Sequence, residues 1–270
     1  MPSLESALLD LNALESLALK ATPIHRLDPR AKVLTALACM VTVVSFDKYD
    51  LSGLLPLIAY PVVLMAVGGL PLGPLLGKVL VASPFALLIG VFNPFLDRAI
   101  LVQVGPLHLS GGWISYGSIL LRFGLTLLAA LILISTTGFN GVCLALERLR
   151  VPQVLVVQLM LLYRYLFVLA QEASRLLTAW SLRSVEGRRM PLRVFGSLGG
   201  QWLLRSLDRA ERVHLAMLSR GFDGTFRPVR ALHFRAADLA FTLGWIAFFL
   251  LARGFNLPRL LGQVVVGIFS

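Results

Sequence analysis

The sequence predicts an all-α integral membrane protein with about five transmembrane helices, six if a C-terminal segment also crosses, and a cytoplasmic domain of long amphipathic helices. Three observations predict it. Hydrophobic residues make up 57% of the chain and charged residues only 14%, outside the range of soluble globular domains. The apolar residues come in successive runs close to the ~20 needed to span a bilayer. Positive charge is concentrated, with fifteen arginines against six acids between residues 140 and 235. In a membrane protein, such a basic stretch marks a cytoplasmic segment, which removes nucleic acid as the default reading of the net charge of +11.

Residues 1–30 form an N-terminal lead-in. Leu4, Leu8 and Leu11 share a helical face with Glu5, Asp10 and Glu15 off it, which predicts an amphipathic surface helix over 3–20. No basic start precedes an apolar stretch, so no secretory signal is expected. Asp28 is then a good N-cap and Pro29 a good first residue for the next helix. Arg26, Arg30 and Lys32 mark that end as cytoplasmic.

Residues 31–137 carry four spans, at 31–46, 51–69, 75–95 and 113–137. Pro56, Pro61 and Pro84 lie inside these runs, so kinks are expected. An outside loop at 96–112 separates the third span from the fourth. In it, Ile100-Leu101-Val102-Gln103-Val104 and Leu107-His108-Leu109-Ser110 flank Gly105-Pro106 and predict a short hairpin. Trp113 and Tyr116 suit the interface belt, and Arg122 near the outer part of the fourth span is read as a helix-pairing or snorkelling charge.

Residues 138–235 are cytoplasmic or interfacial. An amphipathic piece at 141–150 leads to Val151-Pro152, which opens a long apolar helix over 154–170. That helix has the length to cross, yet crossing would carry the arginine-rich block outside, against the positive-inside rule. It is therefore expected on the cytoplasmic side, running on to Arg183. A second amphipathic helix is expected over 201–219. In the last section, 236–270, a fifth span covers 237–251, and 257–269 is either a sixth crossing or a peripheral segment.

One pattern in the basic block occurs twice. Arg183-Ser184-Val185-Glu186-Gly187-Arg188-Arg189-Met190-Pro191-Leu192-Arg193 returns 37 residues later as Arg220-Gly221-Phe222-Asp223-Gly224-Thr225-Phe226-Arg227-Pro228-Val229-Arg230. Arg175 with Arg212, and Ala179 with Ala216, keep the same offset. Each copy predicts a helix ending in arginine, then a glycine stop and a proline that cannot continue it. Helix-end arginines favour the dipole by roughly 0.3–1 kcal/mol, and other arginines can face anionic lipid. Neither effect explains a repeated Arg, acid, Gly, Pro and Arg. A guanidinium suits bidentate docking onto a partner carboxylate or onto the carbonyl end of a partner helix. Two equivalent tips therefore imply a partner with two equivalent sockets.

Chemistry of the chain's own is not indicated. Gly77-Lys78 superficially resembles a phosphate loop, but Leu72 and Val79 stand where Gly and Ser or Thr are needed. His25, His108, His214 and His233 are scattered without ligand spacing. Cys39 and Cys143 have no CxxC spacing and are read as packing residues.

With these motifs in view, the chain resembles the transmembrane T component of energy-coupling factor transporters, and most closely the cobalt-type CbiQ family. Ala216-Met217-Leu218-Ser219-Arg220-Gly221-Phe222-Asp223-Gly224 is similar to that family's Ala-Arg-Gly motif, with Ser219 in place of the alanine. Leu182-Arg183-Ser184 resembles the looser second motif, and Asp28, Pro29, Arg30 and Lys32 its N-terminal motif. The resemblance covers about residues 23–253. It implies a scaffold for two ABC-type ATPase subunits and a CbiM-like substrate-capture membrane subunit, with or without a CbiN-like small subunit, in a prokaryotic cell membrane. It implies docking through Arg183, Ser184, Arg220 and Gly221 on coupling helices, with Glu186, Gly187, Pro191, Asp223, Gly224 and Pro228 in support. It also implies that ATP and magnesium are bound by the ATPases, and no cofactor or metal by this chain. Cobalt is the expected cargo, with nickel or a vitamin as alternatives. A self-contained secondary transporter is the competing class, and it needs a polar midplane site of its own. A membrane anchor or sensor for a cytoplasmic protein is a third.

Overall fold

The computed structural model describes residues 15–47, 49–92, 100–104, 107–184, 191–225 and 234–254, with the side chains of 100–104 and 107–110 left out. In chain order the elements are α1 (Pro29–Ser45), α2 (Leu51–Gly68), α3 (Leu72–Gly90), β1 (Ile100–Val104), β2 (Leu107–Ser110), α4 (Gly111–Arg148), α5 (Gln153–Arg183), α6 (Leu192–Ser219) and α7 (Ala236–Gly254). The predominantly helical, multi-pass class predicted from composition holds. The hairpin is present too, with Gln103 opposite His108 and Val104 opposite Leu107 in an antiparallel pair. The predicted surface helix at 3–20, apart from its end, and the segment at 257–269 lie outside the described residues.

Contacts divide the chain into two compact units. Among the described residues, one comprises those of 15–142 and 234–254, the other those of 143–225.

In the first unit Asp28 caps α1 as its sequence predicts, accepting a hydrogen bond from the Arg30 amide at 2.9 Å, with Pro29 as the first helical residue. The helix stops at Ser45 after 17 residues, about 26 Å at the α-helical rise. Pro56 lies in a short 3-10 turn, Leu55–Ile58, inside α2. Pro61 falls in the first turn of the helix that follows, where its missing amide costs little. Leu54, Leu57 and Tyr60 of α2, Leu125 and Ile132 of α4 and Phe249 of α7 form a shared apolar core. Tyr60 meets Trp245 edge-on at 4.9 Å and Phe249 at 5.5 Å, a favoured aromatic geometry. Much of α3 instead points its leucines, valines and phenylalanines outward, as a lipid-facing helix does.

Helices α1 and α7 are joined at both ends. At their starts the backbone amide of Asp28 donates to the Asp238 carboxylate at 2.8 Å. The same carboxylate accepts the Arg235 amide at 2.7 Å, capping α7. At their far ends the Arg253 guanidinium donates to the hydroxyl and carbonyl of Ser45, at 3.2 and 3.1 Å, and lies over the Phe46 ring. The two helices therefore run parallel. Arg122 is a helix-pairing charge, one of its two anticipated roles, because its guanidinium donates to the Asp47 carbonyl just past the end of α1. Cys39 and Cys143 are both buried free thiols.

Among the described residues five helices are long and apolar enough to cross a membrane: α2, α3, α4, α5 and α7. The number equals the expected five, but the membership differs. Helix α1, with 17 residues, is one residue shorter than α2, the shortest of the five, while α5, expected on the cytoplasmic side, carries an apolar run long enough to cross within its 31 residues. The separate piece expected at 141–150 is present: α4 consists of two helices that meet at a kink at Gly138, whose φ of 69° and ψ of 157° are not helical. The predicted span boundary at 137 marks this break.

Candidate partner-docking site

The second unit is built on α5 and α6. A tight turn delivers α5: Arg150 adopts a φ of 70°, and the Val151 amide reaches back to the Leu146 carbonyl at 3.1 Å. Pro152 then opens the helix, which continues without a break to Arg183, its last helical residue. The cation sits where the helix dipole favours it.

Beyond Arg183, Ser184 turns into extended backbone, φ −88° and ψ 148°, with its amide on the Trp180 carbonyl. Its hydroxyl donates to the Ser181 carbonyl at 3.0 Å. Glu186 and Gly187 lie outside the described residues. Pro191 is described, and its role differs from the expectation. It stands at the N-cap of α6, which begins at Leu192 rather than at 201. A fixed φ and a missing amide suit a helix start as well as a helix stop, so this proline opens the second helix rather than closing the first.

The second copy ends differently. Helix α6 stops at Ser219, Arg220 is the capping residue, and Gly221 takes a φ of 77°. The Gly221 amide donates to the Leu218 carbonyl at 2.9 Å and the Phe222 amide to the Met217 carbonyl at 3.0 Å. This pair of bonds is the Schellman closure, which needs a left-handed residue at the glycine's place. The glycine that stops the helix is therefore Gly221, not the Gly224 of the repeated pattern. Asp223 holds the following turn by accepting from the Thr225 amide and hydroxyl at 3.1 and 2.6 Å, and Gly224 has a φ of 85°. Pro228 lies outside the described residues. The expectation of two alike helix ends thus needs correction: both carry arginine, but the stops differ.

The two helices meet near their middles. Trp202 donates from its indole nitrogen to the Leu169 carbonyl at 3.0 Å. Glu172 is paired with Arg205 at 3.0 Å and with Arg209 at 3.7 Å. Arg205 is 57% exposed, and such surface pairs contribute at most ~1 kcal/mol. Their value lies in the register they report. Glu172 and Arg209 are 37 residues apart, the offset of the repeat itself. The shorter contacts, Trp202 to Leu169 and Arg205 to Glu172, both span 33 residues, so the helices meet about one turn off the register of the repeat. From the Glu172–Arg205 contact, Arg183 lies eleven residues along α5 and Arg220 fifteen residues beyond Arg205, about 16 and 22 Å of helix.

Beside the contact runs an apolar cavity of about 510 Å³, walled by Val157, Leu161 and Tyr165 of α5 and by Val213 and Met217 of α6, with Phe222 at one end. Among the described residues no group of three or more His, Cys, Asp or Glu side chains could hold a metal ion. Of the residues expected to matter, Arg183, Ser184, Pro191, Arg220, Gly221, Asp223 and Gly224 belong to this unit. Asp28, Pro29, Arg30 and Lys32 belong to the other. Sequence reasoning passed over Glu172 and Arg209, although their opposite charges at the repeat offset were visible, as was the same offset at Arg175 and Arg212.

A family model described as CbiQ, cobalt transport protein, matches residues 20–231. The cobalt transport protein CbiQ of Rhodobacter capsulatus is 31% identical over 54% of this chain and 61% of its own length. The nickel permease LarQ of Lactiplantibacillus plantarum is 32% identical over 42% of this chain and 43% of its own. A putative fused cobalt transport protein CbiMQ of Methanocorpusculum labreanum is 31% identical over 33% of this chain and 15% of its own. The matched region is thus less than two thirds of each of these relatives.

Proposed function

The chain belongs to the CbiQ cobalt transport protein family, and on that premise we propose that it is the membrane scaffold of an importer driven by two ATP-hydrolysing partner subunits. Arg183 and Arg220 each anchor one ATPase, and ATP and magnesium are bound by those partners. The observation that carries this reading is an arginine at the end of each of two packed helices, Arg183 as the last residue of α5 and Arg220 at the C-cap of α6, at equivalent positions of a 37-residue repeat. Two such tips suit the two equivalent sockets of a near-two-fold ATPase pair. A membrane subunit captures the cargo, a role consistent with a relative whose printed name joins CbiM to CbiQ in one chain. Movement of the ATPases displaces α5 and α6, and that displacement drives release from the capture subunit. Cobalt is the favoured cargo through the family, and the nickel permease among the relatives keeps nickel as the second.

Topology supports placing the arginine block inside the cell. The parallel pair α1 and α7 must start on the same face of the membrane. After α1 leaves that face, α2, α3 and the part of α4 before Gly138 provide three further crossings and bring the chain back to it. A single additional crossing by α5 puts the start of α7 on the wrong side. Helix α6 is not among those apolar enough to supply a compensating crossing. The parity therefore favours an α5 that lies on the cytoplasmic side, in agreement with its arginine-rich continuation.

The test is reconstitution. Purified with its ATPases and capture subunit in liposomes, the chain is expected to support cobalt(II) uptake that requires ATP hydrolysis. Uptake by the chain alone, without any ATPase, overturns the scaffold reading in favour of a self-contained secondary transporter.

A further inference from the structure

Lys32 sits inside the first unit rather than on a basic surface. Its residue is 5% exposed, and its ammonium donates to the backbone carbonyl of Thr136 at 2.9 Å. That carbonyl belongs to the turn immediately before Gly138, where α4 departs from helical geometry. Carbonyls that precede such a break lose their usual amide partners four residues on. The lysine supplies a donor there, and its positive charge meets the negative end of the half-helix.

The same corner holds the start of α1. Asp28 and Asp238, both buried, lie close enough for their charges to act on Lys32, and the Asp28 amide is bonded to Asp238. Beyond the break, Gly141 approaches Pro29: a Cβ built on the glycine lies 4.0 Å from the proline ring. Helix α4 is then followed by the other unit from Cys143 onward. The break thus lies in the stretch of helix that leads from the arginine-bearing helices to the paired α1 and α7. A glycine at φ 69° is a place where displacement is easily absorbed as backbone rotation.

We propose that Lys32 is a positioning residue for transport, which clasps the broken turn at Thr136 so that displacement of 139–148 is passed to the α1 and α7 pair. The inference rests on the scaffold reading above. It separates Lys32 from the docking arginines, because its loss uncouples the machine without detaching the ATPases.

The experiment is performed on the complete complex in liposomes, with cobalt(II) and nickel(II) as probes, and reads ATP hydrolysis and metal uptake in the same preparation. Lys32→Met is expected to retain the ATPases and to hydrolyse ATP within about two-fold of the unaltered complex, while uptake per ATP falls about ten-fold. Lys32→Arg, which keeps charge and donor, is expected to restore at least half of the ratio. An unchanged uptake-to-hydrolysis ratio in Lys32→Met overturns the proposal, as does a proportional loss of ATPase retention and uptake. If Lys32→Met does not accumulate in membranes, Lys32→Gln is read in its place. Failure of both to accumulate makes Lys32 a folding residue and also overturns it. Failure of the scaffold reading is distinct, since it appears as an unaltered chain that retains no ATPase.

Discussion

Arg183 is the last residue of α5 and is followed by extended backbone at Ser184, whereas Arg220 lies one residue past α6 and is followed by left-handed Gly221. At the first end, a serine hydroxyl and an ordinary helical bond finish the turn. At the second, two backbone bonds close on a residue that must tolerate positive φ. A shared motif therefore fixes what is presented, an arginine at the helix end, and not how each helix is stopped. The local lock is interchangeable, while the arginine is common to both.

Substitutions at the two helix ends separate these roles. The largest effect is expected from Arg183→Glu combined with Arg220→Glu, which should leave the chain in the membrane but lower ATPase retention on purification by about ten-fold or more. Each single reversal should cost less than the pair. Undiminished co-purification with the double variant refutes docking by arginine.

Next comes Gly221→Val. A side chain at a φ of 77° costs roughly 1–2 kcal/mol, so retention through the second tip should fall by about five-fold or more. Glu172→Gln removes two exposed ion pairs worth at most ~1 kcal/mol. Its effect should be under about five-fold and should disappear at high salt, as checked by retention across a salt series. The smallest effect is expected from Ser184→Gly, where extended backbone imposes no demand for a particular residue. Retention there should stay within about two-fold of the unaltered chain. If Ser184→Gly and Gly221→Val are equally harmful, the two ends are locked alike and the contrast drawn from their backbones is wrong.

Much of the fold was legible because local chemistry decided it. Asp28 before Pro29 predicted a capped helix start, Gly105-Pro106 between two short apolar runs predicted the hairpin, and Val151-Pro152 predicted the start of α5. The arginine at the end of α5 was also legible. Where tertiary partners decide, the sequence was ambiguous. Pro191 fits a helix stop and a helix start equally well, and only the continuation from Leu192 chooses between them. Lys32 looks like one more surface cation beside Arg26 and Arg30, and its burial depends on a carbonyl 104 residues away. Asp238 is an acid in the first turn of α7, where the helix dipole alone would suit it, yet it bonds two helix starts. The break at Gly138 was legible as the end of the fourth span at 137, but not the positive φ that makes it.

On the scaffold reading the two copies are two independent plugs, each holding one motor subunit. Native mass spectrometry of the complex, counting ATPase subunits retained per chain, tests this most directly. The account predicts two on the unaltered chain, one on either Arg183→Glu or Arg220→Glu, and none on the double variant. Two ATPases retained by the double variant, or a single reversal that changes nothing while the other removes both, contradicts it.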